Sequence, residues 1–431
     1  MVKLKPVEYE VTITVKSPLA ITTGESYYLT DYALKDGCLF VLDSNAFAEY
    51  LSRKGKLYTF INLLTSNVQN LEKVRTFIDE TFDLGFESLK SNSLKIECDP
   101  KAWENLITGE RKREIRKIFR NQFDAEKKPY IPGSTIKGAI RNALETKLLL
   151  NALKEIDKET LPFLFEELNK FLRERKKSEE ILNRLEDMCV TIRELLQAEA
   201  KVECIKKTAE KSKKEIDDKK IIKIFDSLVE RALQKDFRQK ITEIFKKHSK
   251  KPPPTAKDLM RFIKVSDFQM EKGEVRIGHP ENSKMGDDVK IFTEYVAPGA
   301  KFKGSITIYK GAENLFESLE LNLTIELIVE ALKTFASKTY SLERNKKLIP
   351  QNWKLKVPPD YKNSPNKSLL KLGFHAGALS KTVGEEHLRA ILIRKKGRKV
   401  KYENYPSSTW LLNGKPMGWC LLEVRKRENA N

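Results

Sequence analysis

The 431-residue chain has only four histidines, His248, His279, His375 and His387, so its first 247 residues contain no imidazole. That removes the commonest general acid–base group and metal ligand from more than half of the protein. Cysteine is also sparse. Cys38, Cys98, Cys189, Cys204 and Cys420 are odd in number and widely spread, with no C-x-x-C pair and no adjacent His, which argues against a zinc site or a disulfide framework and leaves reduced filler. No H-E-x-x-H or G-x-S-x-G motif occurs. Asn413-Gly414-Lys415-Pro416 has the Gly-Lys of a phosphate loop but neither its glycine spacing nor the following Ser or Thr. No window approaches the ~18 consecutive apolar residues of a membrane helix, and Met1-Val2-Lys3-Leu4-Lys5-Pro6 lacks the apolar stretch of a secretory signal. A cytoplasmic protein with no membrane partner and no cofactor is expected.

Two further absences organise the chain. Glycine is missing from Ala139 to Lys272 and proline from Phe163 to Lys251, where charges are dense and nearly balanced. That pattern predicts a helical insertion with salt-bridged faces over about 145–255, closed by the stiff Lys250-Lys251-Pro252-Pro253-Pro254. Around it, strand patterns prevail. Val7, Tyr9, Val11, Ile13 and Val15 alternate with polar residues as in a half-buried strand, and Thr22-Thr23-Gly24 reads as a turn that exposes backbone amides. Asp43 and Ser44 cap a helix through about 53. Strand patterning returns at 260–268, 289–296, 302–308 and 419–424, with a helix through Ile328, Ala331, Leu332 and Phe335. The expected class is α+β, with two ferredoxin-like (RRM-like) domains: 1–310, carrying the insertion, and 311–431, basic and glycine-rich.

Charge is present in excess and unevenly placed. Lys and Arg number 81 against 61 Asp and Glu, a net +20, and residues 344–431 hold 20 basic against 6 acidic side chains. Arg394-Lys395-Lys396-Gly397-Arg398-Lys399-Val400-Lys401 concentrates six cations, expected at a hairpin that attracts polyphosphate. Trp353, Phe374, Tyr402, Tyr405, Trp410 and Trp419 could stack on unpaired bases, and glycines at 373, 377, 414 and 418 would let phosphates approach the backbone. The alternative is a core of aromatics under a soluble basic surface. Tyr130-Ile131-Pro132-Gly133-Ser134-Thr135-Ile136-Lys137-Gly138-Ala139-Ile140-Arg141 starts a helix near Ser134. Unpaired N–H groups of Gly133, Ser134 and Thr135 could hold a phosphate there, with Lys137 and Arg141 one turn apart reaching its neighbours. Gly138 within the helix suggests that another backbone comes close; an ordinary capped helix explains the rest equally well. Gly286-Asp287-Asp288 matches a two-metal carboxylate hairpin but is better read as a polar turn.

Several of these pieces together resemble the RAMP superfamily of CRISPR proteins: Ser17-Pro18-Leu19-Ala20-Ile21-Thr22-Thr23-Gly24, the helix start from Ile131 to Arg141, and Val296-Ala297-Pro298-Gly299-Ala300-Lys301-Phe302-Lys303-Gly304. Gly373-Phe374-His375-Ala376-Gly377, Ser380-Lys381-Thr382 and Gly414-Lys415-Pro416-Met417-Gly418-Trp419 are similar to the family of fifth subunits of type III-A Csm complexes. The resemblance implies ferredoxin-like folds in one chain. It also implies a non-catalytic, crRNA-binding subunit that caps the filament at the guide's 3′ end and aids guide maturation in antiviral defence. Partners implied are crRNA, other Csm-complex subunits and host nucleases that trim the guide; metal ions and cofactors are not. Carried over by position, RNA contacts fall on Thr22, Gly24, Gly133, Ser134, Thr135, Lys137, Arg141, Gly373, His375, Gly377, Lys381, Gly414, Lys415 and Gly418, joined by the cluster Lys395, Lys396, Arg398 and Lys399. Two rivals stand beside this reading: a metal-independent RAMP endoribonuclease that cuts the guide precursor, and an adaptor that binds only protein.

Overall fold

The computed structural model describes residues 5–66, 71–108, 114–120, 127–155, 259–284, 291–310, 323–381, 391–394, 400–403 and 408–427. The expected insertion beyond residue 155, Gly286-Asp287-Asp288 and the cations at 395–399 lie outside the described residues.

Two seven-stranded sheets form the body. The first contains β1 (Lys5–Val15), β7 (Tyr130–Ile131), β8 (Ile263–Val265), β9 (Phe268–Lys272), β13 (Lys301–Lys310), β14 (Lys367–Lys371) and β19 (Trp419–Lys426). The second contains β2 (Thr22–Tyr27), β3 (Tyr32–Lys35), β4 (Cys38–Val41), β5 (Leu94–Cys98), β6 (Glu114–Ile118), β10 (Val275–Gly278) and β12 (Ile291–Val296). Short strands β11 (Glu281–Asn282), β17 (Trp410–Leu412) and β18 (Lys415–Pro416) make a third sheet, and β15 (Ile391–Arg394) pairs with β16 (Val400–Glu403). The helices are α1 (Ser44–Arg53), α2 (Leu57–Ser66), α3 (Leu71–Leu84), α4 (Phe86–Leu89), α5 (Pro100–Thr108), α6 (Gly133–Glu155) and α7 (Ile325–Asn345).

The alternation of β1 has the expected consequence: Val11, Ile13 and Val15 are buried on one face. Beneath them pack Ile136, Ile140, Ala143 and Leu144 of α6 and Ile328, Val329 and Leu332 of α7. Each such Val, Ile or Leu side chain contributes ~1.5–3 kcal/mol by leaving water. On either side of β1 lie β13, with Val11 opposite Gly304, and β19, with Val11 opposite Val424, both antiparallel. The chain therefore runs β1–α6–β9–β13–α7–β19, with these four strands ordered 19-1-13-9 in the sheet. Residues on both sides of the expected 310/311 boundary share this one sheet.

The second sheet is inserted into that path, between β1 and α6 and again between β9 and β13. It is mixed: β5 runs parallel to β10 and β6 parallel to β12. Around β3 to β5, α1 to α4 build a separate core from Phe40, Phe47, Leu51, Ile78 and Phe82. Asp43 caps α1 as expected, its Oδ1 accepting from the Ala46 N–H at 2.9 Å. Thr22–Gly24 is an irregular strand rather than a turn: Thr22 pairs with Ile118 and Ser26 with Arg116, and Gly24 absorbs the extra length at φ +90°. Buried Glu294 of β12 fixes this edge, accepting from Tyr27 Oη (2.9 Å), the Ile118 N–H (2.9 Å) and Arg120 Nη2 (2.8 Å). Burial and that carboxylate keep the Tyr27 phenol protonated far above its ordinary pKa. Among the described residues no helix is long and apolar enough to cross a membrane.

Candidate nucleic-acid interface

The start of α6 is pressed against the turn between β8 and β9. β7 pairs with β9, Ile131 opposite Phe268, which delivers Pro132-Gly133 to the Val265–Asp267 backbone. A Cβ on Gly133 would lie 2.4 Å from the Val265 carbonyl oxygen and 2.6 Å from that of Ser266, so only glycine fits. Its N–H donates to Asp267 Oδ1 at 2.7 Å, and the Thr135 N–H donates to the Pro132 carbonyl at 2.9 Å. Two of the three amides expected to hold a phosphate are thus already used, and a carboxylate occupies the positive end of the helix. Helical spacing puts Ser134, Gly138 and Arg141 on the side opposite Ile136, Ile140 and Ala143, with Lys137 beside them. Ser134 and Gly138 are exposed, and Arg141 reaches Glu145 at 4.0 Å. Contrary to expectation, no backbone among the described residues approaches Gly138: none of them lies within 4 Å of a Cβ built there.

The C-terminal glycines are committed to the chain's own backbone. Gly373 (φ +96°) sits where a Cβ would be 2.4 Å from the Ala20 carbonyl oxygen, and Phe374 N–H donates to that oxygen at 2.8 Å. Gly418 (φ +94°) faces the Leu372 carbonyl, 2.2 Å from its would-be Cβ; its N–H donates to the Pro18 carbonyl and the Leu372 N–H donates back to Gly418, both at 2.8 Å. Trp419 N–H donates to Ser17 Oγ at 2.9 Å. Segments 17–20, 372–374 and 417–419 thereby form one knot of main chain, and Gly373 and Gly418 serve this close packing rather than a phosphate. Asn413 (φ +50°) and Gly414 (φ +70°) turn the hairpin from β17 to β18, tethered by Asn413 Nδ2 donating to buried Asp99 Oδ2 at 2.9 Å. Gly414 and Lys415 are exposed at this tip, as Gly24 is on β2.

Between Gly373 and Gly377 (φ +86°) the chain makes a single 3-10 turn, Phe374–Ala376, and a second follows at Leu379–Lys381. Asn142 Nδ2 of α6 donates to the Ser380 carbonyl at 3.4 Å, joining the helix to this loop. From β6, the Arg116 guanidinium lies 5.5 Å from the centroid of the Phe374 ring, which is 45% exposed. Lys381 Nζ donates to the Phe374 carbonyl at 3.5 Å, and partial burial lowers its pKa. His375 is buried beneath, its ring 4.8 Å from both Phe374 and Trp410. Burial first, then the charges of Lys381 and Arg116, push its pKa down to about 4, so at neutral pH it is an uncharged imidazole whose nitrogens find no hydrogen-bond partner among the described residues.

The sequence-derived residues at 17–24, 133–141 and 373–381 therefore meet in one connected region, with Gly418 in its floor and Lys415 on the separate hairpin tip. Lys395, Lys396, Arg398 and Lys399 lie outside the described residues, although the strands flanking them pair, Arg394 opposite Val400. Sequence reading missed Arg116, Asn142 and Asp267; the signal for Arg116 was the run Arg111 to Arg120, which holds six cations. Of the named aromatics, Trp419 is fully buried, and Trp353 packs edge-on to Tyr340 at 6.0 Å. No group of three or more His, Cys, Asp or Glu that could hold a metal occurs among the described residues.

A family model described as the RAMP superfamily matches residues 12–368. The CRISPR system Cms protein Csm5 of Methanocaldococcus jannaschii is 31% identical over 134 residues, which cover 31% of this chain and 29% of that protein. Two solved structures share the fold over nearly the whole length. One is a chain of a cryo-EM Csm–crRNA–target RNA ternary complex of a type III-A CRISPR-Cas system, with TM-score 0.54, 18% identity, and 96% of this chain and 100% of that one covered. The other is crystalline T. onnurineus Csm5, with TM-score 0.53, 19% identity, and 95% and 99% covered.

Proposed function

The chain belongs to the RAMP superfamily, and from that premise we propose that it is a non-catalytic, guide-RNA-binding subunit of a Csm-type CRISPR complex, seated at the 3′ end of the crRNA. The observation that carries the reading is the contact between motifs distant in sequence: Asn142 with Ser380, and Phe374 with Ala20. These join the outward, cationic side of α6 to the Phe374–Lys381 loop and the β2 edge. The resemblance to Csm5 and the fold shared with a chain of an RNA-bound Csm complex support crRNA and Csm subunits as the partners. We read the β1–α6–β9–β13–α7–β19 path as a ferredoxin-like unit, closed by strands from the two ends of the chain.

Binding is phosphate-dominated in this reading. Titration of the full chain with single-stranded RNA across salt concentrations gives a log–log slope of about −0.7 per phosphate contact, and removing Lys137 and Arg141 reduces it by about 0.7 each. A flat salt response overturns the proposal. Crosslinking from a photoreactive nucleotide at the guide's 3′ end in a reconstituted complex labels this subunit; labelling only from the 5′ end removes the capping role. Site-specific cleavage of labelled precursor RNA in EDTA, lost on Lys137→Ala, would replace the binding role with the ribonuclease.

A further inference from the structure

The geometry points to one unassigned contact inside this interface: we propose that Phe374 is a stacking platform for a single unpaired nucleobase, with Arg116 and Lys381 taking the phosphates that flank it. This rests on the RNA-binding reading above and goes further by naming the base contact. Large apolar rings are ordinarily buried, as Trp419 is and as Trp410 in part is. Phe374 is not: it is 45% exposed at the crest of the loop.

Its exposure is fixed rather than accidental. The Phe374 N–H is tied to the Ala20 carbonyl, its own carbonyl accepts from Lys381, and Gly373 and Gly377 bracket the turn in left-handed conformations. His375 supports the ring from below at 4.8 Å, with Trp410 behind it. A rigid ring held outward loses little conformational entropy when a base settles on it. The surroundings select the partner. Arg116 lies over the ring at 5.5 Å and the Lys381 ammonium reaches its backbone, so a ligand on this ring meets two cations at once. An aromatic face between cations suits a base flanked by phosphates; an apolar protein segment would strand both charges. Tyr28, which is 76% exposed, lacks this setting: its N–H is bonded to the Asp31 carboxylate.

The test uses the full chain with two fluorescein-labelled probes of equal length, a single-stranded oligouridylate and an abasic ribose-phosphate polymer. Phe374→Ala lowers affinity for the oligouridylate by about 5- to 150-fold, the range of one lost base stack, and leaves affinity for the abasic polymer and the salt slope unchanged. Phe374→Trp keeps oligouridylate affinity, and its added fluorescence is quenched on binding. Circular dichroism checks that both variants fold. Equal losses on the two probes, or no loss on either, overturn the platform while leaving phosphate binding intact. Failure of the unaltered chain to bind either probe overturns the RNA-binding reading itself.

Discussion

The start of α6 and the Phe374–Lys381 loop look alike in sequence, both small-residue segments with nearby cations, yet they use their polar groups oppositely. At α6 the Gly133 and Thr135 amides are satisfied within the chain, by Asp267 and Pro132, and what faces outward is the side of the helix. In the loop the glycines hold the main chain in a knot, and what faces outward is a ring flanked by cations. A glycine-rich, basic segment therefore contacts a ligand through whatever its backbone packing leaves over, and the two kinds of position are separable by mutation.

The largest effect is expected at a cation that the tail's charge count assigns to RNA but the fold keeps inside. Lys371 of β14 and Glu343 of α7 form an ion pair with both side chains 2% exposed, and the Lys371 ammonium lies 5.5 Å from the Trp419 ring centroid. Lys371→Met leaves Glu343 buried and unpaired and lowers unfolding free energy by about 3–5 kcal/mol in urea melts; adding Glu343→Leu restores most of it. RNA affinity of the folded protein stays the same. Next comes the knot itself: Gly418→Ala puts a Cβ 2.2 Å from the Leu372 carbonyl oxygen at φ +94° and costs about 2–4 kcal/mol by the same melts. Stability unchanged by Gly418→Ala would mean that the glycine is not held there by packing.

His375 sharpens the comparison through pH. Its pKa falls from an ordinary 6.5 when unfolded to about 4 when folded, so between those values the unfolded chain binds more protons and stability rises with pH. The contribution is present above about pH 6.5 and is lost as pH falls toward 4, amounting to at most about 3 kcal/mol. Denaturation of the wild type and of His375→Phe over that range isolates it: the variant lacks this component of the slope. Parallel slopes would show that the imidazole is not desolvated beneath Phe374.

Much of the scaffold was legible because its signals are local. The alternation of Val11, Ile13 and Val15, the Asp43 cap, the start of α6 and the Trp419 strand each follow from a few neighbouring residues. Long-range pairing was not. Nothing near Trp419 announces that its strand lies beside β1, some 400 residues earlier, and so the division at 310/311 cuts through a continuous sheet. The same limit applies to the site. Glycines at 373 and 418 signal unusual backbone, but only the fold tells whether a carbonyl of the chain or a ligand comes close. Lysines at 367 and 371 add to the tail's charge, yet they pair with Asp360, Glu423 and Glu343 and offer little to a polyanion. Arg116 belongs to a basic run, Arg111 to Arg120 with six cations, yet its place against Phe374 follows only from β6 lying beside the loop.

The smallest expected effect is the most discriminating. Gly133 and Gly138 lie five residues apart on one helix, the first jammed against the Val265 carbonyl and the second with none of the described residues close to it. A helical glycine that no neighbour requires costs ~0.5–1 kcal/mol relative to alanine, so Gly138→Ala should stabilise the protein by about that amount, whereas Gly133→Ala should destabilise it. If RNA backbone is what comes close at Gly138, the stabilised variant also binds single-stranded RNA more weakly, because the added methyl stands between the helix and the strand. A rise in stability with unchanged RNA affinity would move the RNA path off this side of α6 and leave the Phe374–Lys381 loop to carry the interface. A rise in stability with loss of binding would tie both regions to the same strand.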